Sequence, residues 1–129
     1  MRRLVLLLLL LVTRADAALT FQWIGVSGFI LSDTKTTLVF DPAMTPTGVS
    51  QWLPFQKTQS DPAEVRYWMG RCGLRHADAV IVNHAHTDHV IDAPTVVKLY
   101  GGTLYGSSSV RNVALGAGVN DSKIHALKD

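Results

Sequence analysis

The sequence predicts an α/β fold in which a group of antiparallel strands precedes alternating strands and helices. Two observations support this fold class. Residues 19 to 41 hold runs of aromatic and β-branched side chains separated by turn residues, and residues 61 to 127 alternate apolar runs with helix-start signals. Since such βα units build parallel sheets that bind ligands at the carboxyl ends of their strands, any site is expected at that edge.

The antiparallel group is expected to contain three strands. Their sequences are rich in the residue types that strands favour, and residues 33 to 36, Asp-Thr-Lys-Thr, form the turn before the third. The expected strands are Leu19 to Ile24, Gly28 to Ser32 and Thr37 to Phe40.

A long loop is expected after Asp41-Pro42, which ends the third strand abruptly. Residues 43 to 60 have little periodicity and include prolines at 46 and 54. Loops of this length are commonly functional or mobile. Two readings stay open for Trp52 and Phe55 within it: they line a substrate entrance, or they cover the core.

Helix-start and helix-stop residues predict three helices with strands between them. Asp61-Pro62 places a capping side chain before a proline at the first helical position, and Gly73 ends that helix. The expected helices are 62 to about Arg71, Thr95 to Tyr100 after Asp92-Ala93-Pro94, and 107 to Gly116; the expected strands are Ala79 to Asn83, Thr103 to Tyr105 and Ser122 to Leu127.

The segment His84-Ala85-His86-Thr87-Asp88-His89 places four potential metal ligands within six residues, directly after an expected strand. Zinc favours neutral imidazoles and carboxylates. Residues i and i+2 of an extended chain project to the same side, so His84 and His86 can hold one ion. A turn at Thr87 then brings Asp88 and His89 to a second. The alternative, a polar loop of solvated histidines, leaves the order and spacing unexplained.

This pattern resembles the metal loop of the metallo-β-lactamase superfamily, His-x-His-x-Asp-His after an internal strand. The likeness covers roughly residues 19 to 127 and extends to Trp23-Ile24-Gly25, Gly28 to Leu31, Leu38 to Pro42 and Val82 to Pro94. It implies a four-layer αββα sandwich and metal-dependent hydrolysis by one or two zinc ions. The lactonase and phospholipase-D-like branch is the most similar, which implies a small ester, lactone or phosphodiester substrate.

The resemblance also implies individual roles. His84 and His86 would hold the first zinc, and Asp88 and His89 the second, with Asp88 also orienting the attacking hydroxide. Asp41 would lie beneath the ligands and accept a hydrogen bond from a ligand histidine. The alternative for Asp41 is an ordinary Asp-Pro turn.

The resemblance implies three further ligands, namely a histidine, a bridging aspartate and a last histidine, from later in the family's fold. After His89 the chain offers only His125, Asp92, Asp121 and Asp129, and His125 lies in an expected strand. Residues 18 to 129 are therefore expected to be the N-terminal half of the domain, inactive alone and prone to self-association through an uncovered face. The alternative is a natural short product that binds a metal or a partner without catalysis.

The first seventeen residues have the pattern of a secretory signal peptide: a basic start, nine apolar residues from Leu4 to Val12, and Ala15-Asp16-Ala17 as the cleavage signature. A membrane-spanning helix needs about 20 residues, so a retained anchor is the lesser alternative and no stable span is expected after cleavage. The predicted location is periplasmic or secreted, with cleavage between Ala17 and Ala18.

Charge and cysteine content add two limits. Cleavage would leave nine basic and nine acidic residues, which gives no electrostatic case for nucleic-acid binding. The single cysteine, Cys72, excludes an intramolecular disulfide. It is expected to pack at a helix end, the alternative being a catalytic or metal-binding thiol.

Overall fold

The computed structural model describes residues 18–48 and 58–127, which form a six-stranded sheet and four α-helices. The expected signal peptide, Trp52 and Phe55 lie outside these residues. The elements are β1 Thr20–Trp23, β2 Phe29–Ser32, β3 Thr37–Phe40, α1 Pro62–Arg71, β4 Ala79–Ile81, α2 Thr87–Val90, α3 Ala93–Tyr100, β5 Thr103–Gly106, α4 Ser108–Gly116, a 3-10 turn Asp121–Lys123 and β6 Ile124–Ala126.

The strands lie in the sheet in chain order, from β1 to β6. The pairs β1–β2 and β2–β3 are antiparallel, and every later pair is parallel. This confirms the predicted α/β class with its antiparallel start. Each parallel connection moves one strand further in the same direction. Because such crossovers share one hand, their helices belong on one face of the sheet.

The core lies between that face and the helices. Ile30, Val39, Val80 and Leu104 pair across four neighbouring strands and are fully buried. Helices α1, α3 and α4 contribute further buried side chains to the same cluster, namely Val65, Met69, Val96, Val97, Val110 and Ala114. Burying a Val or Leu side chain of this kind stabilises the fold by about 1.5–3 kcal/mol.

The opposite face of the sheet is apolar but incompletely covered. Alternation along the strands places Phe29, Phe40, Ile81 and Tyr105 in one row there, and all four are only partly buried. Phe29 stacks on Phe40 with ring centroids 4.5 Å apart and on Phe21 at 5.1 Å. The described residues thus contain one sheet and one helical layer, two of the four layers that the resemblance implies.

Helix α1 agrees with its sequence signals, whereas several later boundaries differ. Asp61 caps α1 by accepting from the Ala63 amide at 2.8 Å. Helix α3 begins at Ala93, two residues before the expected Thr95, because Pro94 fits the first turn of a helix. Strand β4 ends at Ile81, not at Asn83, because its partner β3 ends at Phe40. The expected strand Ser122 to Leu127 is shorter, because its first two residues lie in the 3-10 turn and β6 begins at Ile124.

Among the described residues, no helix has the length and apolar character needed to cross a bilayer.

Cys72 forms the C-cap of α1 and packs against the core cluster. Burial raises the pKa of its thiol, against a smaller opposing effect of the Arg71 charge. A raised pKa keeps the thiol protonated at neutral pH, and a thiolate is the form that binds metals or attacks substrates. These properties support the expected packing role.

We expect Gly28→Ala to destabilise the fold. A Cβ at Gly28 would lie 2.9 Å from the Asp41 carbonyl oxygen and 3.1 Å from Ile24 Cγ1, so the backbone has to shift. Overpacking of this kind costs about 1–3 kcal/mol. Gly70→Ala is the matched control: Gly70 is exposed in α1 with nothing near its Cβ position, and alanine there should stabilise by about 0.5–1 kcal/mol. Urea denaturation of both variants measures the contrast, and equal stabilities would refute it.

Candidate metal centre

The histidine-rich segment lies at the carboxyl end of β4, between the ends of β3 and β5. His86 is extended, with φ −70° and ψ 148°, and starts the single turn α2. Its carbonyl accepts from the amides of His89 and Val90 at 3.0 Å. The turn expected at Thr87 is therefore a one-turn helix, which folds Asp88 and His89 back toward His84.

His84 and His86 form the first pair of donors. Nε2 of His84 lies 3.0 Å from Nδ1 of His86, and the rings meet edge-on. Two nitrogens bound to one tetrahedral zinc at about 2.0–2.1 Å lie about 3.3 Å apart. The 3.0 Å separation is that of a hydrogen bond between the two rings, and it lies within a few tenths of an ångström of the separation that a shared zinc requires.

Asp88 and His89 form a second, looser pair. Asp88 Oδ2 lies 3.7 Å from His89 Nε2, and the Asp88 side chain is 55% exposed while that of His89 is 17% exposed. The His89 ring packs on His84 with centroids 4.0 Å apart. Across residues 18–48 and 58–127, no three His, Cys, Asp or Glu side chains are grouped so that they could hold one ion. The four side chains offer zinc-type donors in two pairs, and metal binding by them stays a prediction.

Asp41 connects the two ends of this loop. Its Oδ1 accepts from the Asn83 amide at 2.7 Å, and its Oδ2 lies 3.2 Å from His89 Nδ1. The His89 nitrogen is buried and lacks a hydrogen bond of good geometry, so the contact is close but misaligned. Asp41 also has a φ of +41°, a conformation that costs free energy and persists only when neighbours hold it.

Two residues that the sequence reasoning did not assign to the site contact the loop. The Ser27 hydroxyl donates to the Asp88 carbonyl at 2.8 Å, and Asn83 Nδ2 lies 3.4 Å from His84 Nδ1. Asn83 directly precedes His84, so proximity could have suggested it. Ser27 is 61 residues from Asp88, and nothing in its own sequence indicates the contact.

The other acids and the last histidine have different surroundings. Asp92 is fully buried and accepts four hydrogen bonds. Asp121 forms a two-bond ion pair with Arg111 at 2.9 and 3.0 Å. His125 lies on β6, exposed, with its ring 5.4 Å from that of Tyr105. None of these three reaches the histidine pair, and Asp129 lies outside the described residues.

A cavity of about 570 Å³ lies behind the loop. Ala85 and Thr87 line it from the loop, Pro94 and Lys98 from α3, and Ala117 from the end of α4. The loop histidines do not line it. The Lys98 ammonium donates to the Ala117 carbonyl at 2.9 Å, so its charge is already engaged. The cavity is therefore separate from the donor pairs.

Comparisons with known proteins agree on the family. Residues 21–127 match the family model described as the metallo-beta-lactamase superfamily. Two solved structures have the same fold: Igni18, "a novel metallo hydrolase" from the hyperthermophilic archaeon Ignicoccus hospitalis KIN4/I, with a TM-score of 0.56 and 17% identity, and the chemotaxis sensor ODP, with 0.54 and 16%. They match over 85% and 87% of this chain but only 40% and 42% of their own lengths. A search of curated proteins gave no match. This chain belongs to the metallo-beta-lactamase superfamily.

Proposed function

We propose that this chain carries the metal loop of a zinc-dependent hydrolase that acts on small esters, lactones or phosphodiesters. The observation that supports this most is the pair of ring nitrogens on His84 and His86, 3.0 Å apart at the carboxyl end of a parallel strand. Members of this superfamily typically bind metal ions. When bound, zinc lowers the pKa of a water to about 7 and polarises the oxygen under attack.

The neighbours of the histidines have roles that follow from their contacts. His84 can bind through Nε2 only if its proton is on Nδ1, and the side-chain oxygen of Asn83, once turned toward Nδ1, would accept that proton's hydrogen bond. Asp41 would do the same for His89 Nδ1, which leaves Nε2 free. Asp88, whose side chain is 55% exposed, would orient a water molecule.

The identity of the metal is part of the proposal. Imidazole and carboxylate ligands also suit iron, and the structure of the sensor ODP is described as a "peroxy diiron species". We propose zinc for this chain. Isothermal titration calorimetry with Zn²⁺, and with Fe²⁺ under anaerobic conditions, tests the choice of metal. Tighter binding of iron would assign the loop to iron instead.

The two pairs are incomplete as zinc sites, so we propose that an active centre takes further ligands from outside the described residues. The present chain should then bind at most one zinc weakly, because neither pair alone gives zinc its usual four ligands. It should also lack turnover, since misplacing a reacting group by about 1 Å can cost on the order of 100-fold in rate.

Calorimetry with zinc, alongside turnover assays on lactone, ester and phosphodiester substrates, tests this. Zinc-dependent turnover by the 129-residue chain would refute the claim that ligands are missing. Zinc binding without turnover is the expected result. The same result fits a second candidate function, a catalytically inactive product that binds a metal. The arrangement of the donors in two incomplete pairs favours this second function. Turnover by a longer chain with further histidine and aspartate ligands would separate the two.

We also propose that the protein is exported, with Ala18 as the first residue after cleavage. The support is the leader pattern of residues 1 to 17, with alanines at both positions that signal peptidase reads. N-terminal sequencing of the product from a bacterial host measures the cleavage point. Intact Met1 in the membrane fraction would replace export with anchoring.

A further inference from the structure

We propose that Asp92 is a positioning residue that holds Asp41 against the metal loop. Asp92 is fully buried, and each carboxylate oxygen accepts two hydrogen bonds. Oδ2 accepts from the amides of Met44 and Thr45 at 2.6 and 2.7 Å, and Oδ1 accepts from the hydroxyls of Thr45 and Ser60 at 2.6 and 2.5 Å. The inference rests on the proposed metal site, because it concerns how that site is held together.

These bonds join the segment after Asp41 to the start of α3, and Ser60 adds a bond from the residues before α1. The Asp92 amide donates to the Pro42 carbonyl at 3.1 Å, so residue 92 is tied to the segment directly after Asp41 by both main chain and side chain. Asp92 also follows His89 by only three residues. Asp92 therefore links the segment after Asp41 to the segment after His89. This link limits how far the side chains of Asp41 and His89 can separate.

The strained backbone of Asp41 makes such a restraint necessary. Its φ of +41° is unfavourable for a residue with a side chain, and the segment would relax if its anchor were removed. Relaxation would move the Asp41 carboxylate away from the Asn83 amide and from His89 Nδ1, its two neighbours at the loop. Asp92 thus acts on the metal ligands through Asp41, without touching them.

A carboxylate suits this position better than an amide. Four donors meet two oxygens, and a buried carboxylate is stabilised by such charge-assisted bonds. In Asp92→Asn, the side-chain oxygen can still accept from the amides of Met44 and Thr45. The side-chain NH2 group can only donate, so the hydroxyls of Thr45 and Ser60 would have to accept from it. Thr45 Oγ1 already accepts from the Asp61 amide at 2.8 Å. Asp92→Asn should therefore be intermediate between the wild type and Asp92→Ala.

The test uses two readouts on the full chain. Zinc affinity by calorimetry should fall about 10–100-fold in Asp92→Ala, the range for outer partners of metal ligands. Hydrogen exchange at the Asn83 amide, measured without metal, should become at least about tenfold faster because that amide is bonded to Asp41. Val110→Ala is the control: Val110 is fully buried in α4, and its truncation weakens the core without removing the hydrogen bonds that link Asp92 to the segment after Asp41, which we call the clamp.

The outcomes separate the two proposals. If Asp92→Ala and Val110→Ala change both readouts equally, Asp92 is merely structural and the inference is wrong. If wild-type protein binds no zinc, the proposed function fails, while Asn83 exchange still decides the clamp. Should Asp92→Ala not fold, Thr45→Val and Ser60→Ala each remove one hydroxyl donor from Oδ1 and should speed Asn83 exchange by a smaller factor. Unchanged exchange in both would also refute the clamp.

Discussion

Replacing either His84 or His86 with alanine is expected to weaken zinc binding by on the order of 100-fold or more, because each variant removes one of only two donors in the closer pair. A single remaining imidazole is expected to hold zinc no better than a free surface histidine. Calorimetry with Zn²⁺ at constant pH measures the change.

The chain supplies its own control for this experiment. His76 is exposed beside Asp78, before the start of β4, and so at the opposite end of that strand from the loop. His76→Ala should leave zinc affinity within about threefold of wild type, since surface substitutions away from a site have small effects. Loss in His76→Ala equal to that in His84→Ala would show that binding is unspecific. Unchanged affinity in both loop variants would remove the metal assignment.

The order of strands and helices could be predicted because its signals are local. Asp61 and Pro62 define the start of α1 within three residues, and the cap bond to Ala63 forms as expected. Boundaries that depend on a partner could not be predicted. The end of β4 is decided by where β3 ends, and that follows from the conformation of Asp41, 40 residues before Ile81.

In the candidate site, too, the local features could be predicted from the sequence and the contacts between distant segments could not. His84, His86, Asp88 and His89 lie within six residues, so their grouping was visible in the sequence. The contacts that support them join distant segments: Ser27 to Asp88, and Met44 to Asp92 across 48 residues. A lone aspartate in a sequence carries no sign that it will be buried with four donors, since that depends on how the loop after β3 packs. The sequence predicted only a helix start at this position.

We expect the chain to self-associate through the open face of the sheet, which is the incompletely covered face opposite the helices. All parallel connections place their helices on one side, so the aromatic row of Phe29, Phe40 and Tyr105 has no helical layer over it in the described part of the chain. Phe21, on the edge strand β1, is 64% exposed. Apolar surface of this kind, next to a strand that lies at the edge of the sheet in residues 18–48 and 58–127, promotes association.

Sedimentation velocity should therefore show wild-type oligomers, and the double variant Phe21→Lys with Phe29→Lys should shift the distribution toward monomer. Two lysines on this face add repulsion between copies and remove two stacked rings. Leu99→Lys with Val113→Lys is the matched control, because it adds the same charge at partly exposed apolar positions on the helical side. Dispersal by the control alone would place the interface on the helices. A monodisperse wild-type monomer with a sharp cooperative melt would show instead that the open face needs no partner, and that this chain folds as a self-sufficient unit.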